Sequence, residues 1–104
     1  MDILEMQKNA KRVSDMLKSL SHERRLLILC QLVNGERSVG EIAQSLQMRD
    51  AAASQQLALL RKDGLVEPRR DGQTIYYSVS RADVRLLIDF LYAQFCETRK
   101  PREG

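Results

Sequence analysis

Two cysteines, Cys30 and Cys96, carry the most reactive side chains in this chain of 104 residues. A thiolate attacks electrophilic sulfur and binds soft metal ions, so a cysteine pair offers redox or metal chemistry. The one histidine, His22, precedes an apolar helical stretch, which favours a capping or surface role. The sequence has no C-x-x-C motif and no glycine-rich phosphate loop, so we do not expect an enzyme.

A second set of side chains suits nucleic acid. The chain has 17 lysines and arginines against 14 acidic residues, and this net charge of +3 permits a polyanionic partner without requiring one. Glutamine amides can hydrogen-bond base edges, whereas arginine and lysine hold phosphates. The candidate DNA-binding residues are Ser54, Gln55, Gln56, Arg61, Lys62, Arg69, Arg70 and Gln73. The alternative is that they form only a solvated polar face.

Apolar periodicity predicts three helices in the first half of the chain. The first helix repeats apolar residues at steps of three and four: Ile3, Met6, Ala10, Val13, Leu17 and Leu20. The second helix follows Ser21, a good N-cap, and ends at the stop signal Asn34-Gly35. The third is short and begins with a capping box formed by Ser38 and Glu41.

The second half predicts a helix, a β-hairpin and a last helix. Asp50 is expected to cap a helix that runs to Lys62, with Ala53, Leu57 and Leu60 on its inward face. The period then changes to two, and Asp71-Gly72 predicts the hairpin turn, with Pro68 restricting the first strand to a sheet edge. Ser80–Asp83 opens the last helix in the manner of a capping box. The fold class is therefore mainly α with a β-hairpin.

This order of elements is that of a winged helix-turn-helix with five helices plus a wing. Residues 49–62 take the recognition position, and residues 69–73 form the wing tip. The length fits one domain, residues 1–104, with a small core. No apolar run approaches the roughly 20 residues that span a bilayer, so we expect a cytoplasmic protein without a membrane partner.

Apolar residues on the first and last helices exceed what so small a core covers, and this predicts a homodimer. The narrow apolar stripe of the first helix would meet a second protomer, although packing within one domain is an open alternative. The last helix is apolar in almost every direction and should be covered on more than one side. The predicted seam includes Val13, Leu17, Leu87 and Leu91.

Several segments resemble the ArsR/SmtB family of bacterial transcriptional regulators, over residues 16–96. They are residues 20–29 (LSHERRLLIL), 38–43 (SVGEIA), 54–57 (SQQL), 63–66 (DGLV) and 69–77 (RRDGQTIYY). The resemblance implies a homodimer, joined through its first and last helices, that represses by occupying operator DNA until an inducer releases it. Arg49 and Gln56 stand where the family often has serine and histidine, which affects the preferred operator.

The metal sites of that family are not matched by this chain. The family's thiol metal box would fall at Ser38 and Gly40. Its last-helix site would fall at Asp83, Arg85, Cys96 and Arg99, and two cations at ligand positions would repel a metal ion. We therefore expect neither a metal nor a cofactor.

The placement of Cys30 and Cys96 resembles the persulfide-sensing branch of the family. That resemblance implies that a polysulfide or disulfide bridge joins the two thiols of one protomer and releases DNA, with a persulfide or polysulfide as inducer. Attack by a thiolate needs a lowered pKa, which the nearby Arg99 and Lys100 are expected to provide. The alternatives are a regulator that responds to arsenic or oxidants, and a constitutive DNA binder or anti-repressor with structural cysteines.

Overall fold

The computed structural model describes residues 1–96 and places them in five α-helices and a three-stranded sheet. The elements are α1 (Ile3–Leu20), α2 (Glu23–Val33), β1 (Arg37–Ser38), α3 (Val39–Ser45), α4 (Asp50–Lys62), β2 (Val66–Asp71), β3 (Thr74–Val79) and α5 (Ala82–Phe95). This architecture confirms the predicted winged helix-turn-helix. Among these residues, no helix is long and apolar enough to cross a membrane.

The corner between α1 and α2 is closed by Ser21, which ends the first helix. The Ser21 hydroxyl donates to the Lys18 carbonyl at 2.8 Å. The predicted role of Ser21 as the N-cap of α2 is therefore wrong, because its side chain is turned back onto α1. His22 occupies the N-cap position of α2 with an extended backbone, and it is exposed.

The pair α3 and α4 forms the helix-turn-helix. The capping box that opens α3 is confirmed, since Glu41 N donates to Ser38 Oγ at 3.1 Å and Ser38 N donates to Glu41 Oε1 at 2.8 Å. Arg49 is the N-cap of α4, so the predicted capping role of Asp50 is wrong. Asp50 lies instead within the first turn, where a carboxylate interacts favourably with the helix dipole.

The wing is an antiparallel sheet with the order β1-β3-β2, which confirms the edge position of Pro68. Asp71 pairs with Thr74, so the central turn residues are Gly72 and Gln73, one position later than predicted. Gly72 has a φ of +65°, as primed hairpin turns require at their first central residue. The two-residue strand β1 was not predicted, because so short a segment has no alternating pattern of its own.

The core lies where α2, α3, α4 and α5 meet the sheet. Its largest fully buried side chains are Ile28, Leu29, Leu32, Ile42, Leu57, Leu60, Leu65 and Val84. The predicted capping box before α5 is wrong: Arg81 is the N-cap, and the Ser80 hydroxyl donates to the Gly64 carbonyl at 2.9 Å. Ser80 thus fastens the start of α5 to the end of the α4 segment.

Candidate DNA-binding surface and thiol cleft

The outer side of α4 presents small and polar residues, and the buried side of the same helix dictates this orientation. Ala53, Leu57 and Leu60 are all 0% exposed, as predicted. The side chains away from them are exposed, namely Ala51, Ser54, Gln55, Ala58, Arg61 and Lys62. Such a face has amide and hydroxyl groups for base edges and cations for phosphates.

Gln56 lies differently from its neighbour Gln55. It is half-buried, and its Oε1 accepts a hydrogen bond of 3.1 Å from Arg25 Nε in the first turn of α2. Gln55 is exposed. Adjacent residues on a helix point about 100° apart, so one glutamine faces solvent while the other faces α2.

The two wing arginines lie on opposite faces of the hairpin, because successive strand residues alternate sides. Arg69 pairs in register with Tyr76, and its guanidinium lies 5.0 Å from the centre of the Tyr76 ring. It also donates to both carboxylate oxygens of Glu36, at 2.5 and 3.1 Å. The hydrogen bond from Arg69 lowers the pKa of Glu36. Glu36 therefore holds Arg69 on the face away from α4.

Arg70 lies on the face of the wing that meets α4. It pairs in register with Ile75, and the two residues line a cleft of about 290 Å³ together with Pro68, Tyr77 and Arg61 from the last turn of α4. Arg61 and Arg70 thus bring two cations to the junction of helix and wing. Gln73, in the hairpin turn, is exposed.

The Cys30 thiol faces a cleft of about 390 Å³ between α2 and α5. The cleft is lined by Cys30, Gln31, Val33, Asn34, Ile88, Asp89 and Tyr92. Cys96 follows α5 directly, and its amide donates to the Tyr92 carbonyl at 2.8 Å. Cys96 therefore lies one helical turn beyond Tyr92, which lines the same cleft as Cys30. No disulfide joins Cys30 and Cys96 in the structure.

Burial raises the pKa of the Cys30 thiol, and the negative charge of Cys96 raises it further. This is the reverse of the lowered pKa expected from the sequence, because the half-buried position of Cys30 disfavours a thiolate. Arg99 and Lys100, which were expected to lower it, lie outside the described residues. Cys30 and Cys96 therefore lie close enough to interact electrostatically. Cys96 is exposed, so it is the more accessible of the two.

Three of the positions that would form the family's metal sites have other partners in the structure, and a fourth, Arg99, lies outside the described residues. Ser38 belongs to the capping box of α3. Asp83 is paired with Arg81 at 2.7 Å, and the Arg85 guanidinium donates to the Val33 carbonyl. Within residues 1–96, no group of three or more histidine, cysteine or acidic side chains could hold a metal ion.

The predicted seam residues differ in exposure. Leu17 is 48% exposed, Val13 and Leu91 are half-buried, and Leu87 packs against the core. Two residues missed by the sequence argument are more exposed: Leu86 at 69% and Phe90 at 57%. Periodicity could not separate them, because α5 is apolar in nearly every direction.

The fold and the polar face of α4 together define a protein of the winged helix-turn-helix class. Residues 22–68 match the family model described as bacterial regulatory protein, arsR family. The chain is 41% identical over 100 residues to the transcriptional activator HlyU of Vibrio cholerae. The matched region covers 96% of this chain and 93% of HlyU. The chain belongs to the arsR family of bacterial regulatory proteins.

Solved structures agree with this assignment. The transcriptional repressor BigR from Xylella fastidiosa is 43% identical with a TM-score of 0.87, covering 92% of this chain and 98% of BigR. Reduced HlyU from V. cholerae has a TM-score of 0.84 at 43% identity, covering 88% of this chain and 97% of that one. A domain from Mycobacterium bovis, Mb0332, has a TM-score of 0.76 at 34% identity, covering 94% and 91%, and is described as homodimeric.

The raised pKa of Cys30 leads to a prediction about alkylation. Because thiolates react with iodoacetamide and thiols do not, the half-buried Cys30 should be alkylated more slowly than the exposed Cys96 at neutral pH, and its rate should rise at a pH above that of an ordinary cysteine. Replacing Cys96→Ser removes one of the two causes, so the pH midpoint of Cys30 should fall. Mass-spectrometric peptide mapping across pH measures both sites. Equal rates at both cysteines would contradict the prediction.

Proposed function

We propose that this protein is a transcriptional repressor that binds operator DNA as a homodimer. The observation that carries the proposal is the exposed polar face of α4, with Arg61 and Arg70 lining one cleft at its junction with the wing. A helix of this kind fits the major groove, while cations at its end reach the phosphates on either side. BigR is named a repressor and HlyU an activator, so the direction of regulation belongs to the proposal.

The DNA-contacting residues divide by chemistry and exposure. Ser54 and Gln55 are the proposed readers of base edges. The proposed phosphate contacts are Arg61, Lys62, Arg70 and Gln73. Arg69 has a lesser role in this scheme, because Glu36 neutralises its charge and holds it on the other face of the wing. Gln56 is held by Arg25 and does not face the groove.

The proposed homodimer places two such units, each a single domain of residues 1–104, about a two-fold axis. The apolar side chains that α1 and α5 leave exposed supply the seam: Ile3, Leu4, Met6, Leu17, Leu86 and Phe90. Two-fold symmetry presents two recognition helices to half-sites about 34 Å apart. The homodimeric state described for Mb0332 supports this arrangement.

A charge placed in the seam should dissociate the dimer. The Phe90 side chain is 57% exposed on α5, and a carboxylate there would lose its water on association. We expect Phe90→Asp to sediment as a monomer at micromolar concentration and the wild type as a dimer. Gln44→Asp, an equal charge change on the exposed side of α3, should stay dimeric. A wild type that sediments as a monomer would refute the dimer.

The two wing arginines should differ in their effect on DNA binding. Arg70→Ala should weaken binding to specific and non-specific DNA alike and lower the salt slope by about one. Arg69→Ala should have a smaller effect on DNA binding and on the salt slope. Glu36→Gln should tighten DNA binding, because it releases Arg69. Gln55→Ala should relax sequence preference at constant salt slope. Equal losses for Arg69→Ala and Arg70→Ala, measured by fluorescence anisotropy across salt concentrations, would contradict this division.

We further propose that reactive sulfur species control DNA binding through Cys30 and Cys96. The exposed Cys96 thiolate attacks a polysulfide, releases hydrosulfide and retains a polysulfanyl chain. The Cys30 thiolate then attacks a sulfur of that chain and expels a second hydrosulfide, so that a polysulfide bridge joins the two cysteines. The two thiolates are oxidised by two electrons, and the polysulfide is reduced. The cleft beside Cys30 has room for the inserted sulfur atoms.

Bridging should reach the DNA-binding surface through α2. Cys30 and Arg25 lie on this helix, and Arg25 contacts Gln56 in the middle of α4. A bridge that draws the end of α5 toward α2 therefore changes the spacing of the paired recognition helices. An operator complex exceeds non-specific binding by about 4–10 kcal/mol, so losing a few contacts at each half-site empties the operator.

A polysulfide donor should add sulfur mass to an intramolecular Cys30–Cys96 linkage and release DNA. Cys30→Ser and Cys96→Ser should each bind DNA like the wild type but lose the response, since one thiol cannot close the bridge. Gel-shift assays with intact-protein mass spectrometry measure both effects. Release by peroxide or arsenite and not by polysulfide would favour an oxidant or arsenic sensor. Unchanged induction in both variants would leave a regulator with structural cysteines.

A further inference from the structure

Two long-range side-chain hydrogen bonds join α4 to the corner between α1 and α2. Arg25, at the start of α2, donates from Nε to Gln56 Oε1 at 3.1 Å, near the middle of α4. Ser19, in the last turn of α1, donates from Oγ to Asp63 Oδ2 at 2.7 Å. Asp63 is the C-cap of α4. The recognition helix is thus held at two points by the same corner.

We infer that Arg25 and Ser19 are positioning residues for sequence recognition, and that Gln56 is the attachment point of Arg25 and not a reader of bases. The inference rests on the proposed DNA-binding function and names residues that set its specificity. Because Gln56 is held toward α2, the neighbouring side chains of Ser54 and Gln55 are turned outward to solvent.

Directional bonds are needed here because apolar burial does not fix the rotation of a helix by itself. The hydrophobic effect is non-directional, so small rotations of α4 would leave Leu57 and Leu60 buried. A hydrogen bond weakens steeply when its angle departs from linearity. Two such bonds at different heights therefore resist both rotation and tilt of the helix.

Both bonds are partly buried on the donor side, although the acceptor Asp63 is itself exposed. Ser19 is only 7% exposed, and its hydroxyl donates to the Asp63 carboxyl group in a short bond of 2.7 Å. Arg25 and Gln56 are half-buried, and their bond has a charged donor. Loss of Asp63 would take this acceptor from the buried Ser19 hydroxyl, and loss of Gln56 would take the acceptor from the half-buried Arg25, so α4 would move.

The experiment uses the full chain and a duplex that the wild type selects from a random-sequence pool, with a scrambled duplex of equal length as reference. The measured quantity is the specificity ratio, the Kd for the scrambled duplex divided by the Kd for the selected duplex. We expect Arg25→Ala and Gln56→Ala each to lower this ratio about tenfold, the effect of one hydrogen bond to a charged group. The double variant should lose no more than either single variant, because both changes break the same bond.

Conservative variants test positioning directly. Gln56→Glu keeps an oxygen for Arg25, so the ratio should stay near the wild-type value even if its added charge weakens binding to both duplexes. Asp63→Asn keeps an acceptor for Ser19 and should also preserve the ratio, whereas Asp63→Ala should lower it. These two variants retain their bonds, so they also serve if an alanine variant fails to fold, as judged by circular dichroism.

Three outcomes would overturn the inference alone. Gln56→Ala relaxing one base pair of the selected site, while Arg25→Ala does not, would make Gln56 a base reader. A salt slope reduced by about one in Arg25→Ala would make Arg25 a phosphate contact. A ratio of Kd values lowered about tenfold in Gln56→Glu or Asp63→Asn would show that the retained bond is not what positions α4. Failure of the wild type to select any sequence would overturn the proposed function itself, and the inference with it.

Discussion

Burial of one side of α4 is the constraint on which the rest of the structure depends. Ala53, Leu57 and Leu60 are completely withdrawn from water and belong to the core cluster that residues of the other elements form. Apolar burial of this extent contributes about 25 cal/mol per Å² removed from water, which outweighs the preferences of single polar groups. The opposite side of the helix is therefore left to solvent, and the polar residues that lie there become available to a partner.

Contacts with neighbouring residues determine which polar side chains are available to bind DNA. Arg69 and Arg70 are adjacent and chemically identical, yet hairpin register sends one toward Glu36 and the other toward Arg61. The same holds for Gln55 and Gln56, of which one is exposed and the other is bonded to Arg25. In both pairs, the role we propose for a residue follows from its contacts and not from its type.

Helix α2 connects the two parts of the proposed switch. Its first turn carries Arg25, which contacts the recognition helix, and its third turn carries Cys30, which faces the cleft toward α5. A helix of eleven residues that packs on both neighbours moves as a unit, since hydrogen bonds between successive turns hold its backbone together. A change at the thiol pair would in this way be transmitted to the DNA-binding surface.

The sequence by itself determined the number and order of the helices, the inward face of α4, the capping box of α3 and the edge position of Pro68. These features depend on periodicity and on local hydrogen bonding, which a linear pattern records. Only the tertiary structure decided which residues cap the starts of α2, α4 and α5, where Ser21, Asp50 and Ser80 were predicted to have a role. In each case, a competing partner or a neighbouring cap residue could not be seen locally.

The candidate sites divide in the same way. The sequence singled out the two cysteines, the α4 side chains and the wing arginines, because residue type alone indicates their chemistry. It could not show that burial raises the pKa of Cys30, that Glu36 holds Arg69, or that Leu86 and Phe90 are exposed. These properties arise from contacts between residues far apart in the chain, and hydration, charge and exposure are set by such contacts.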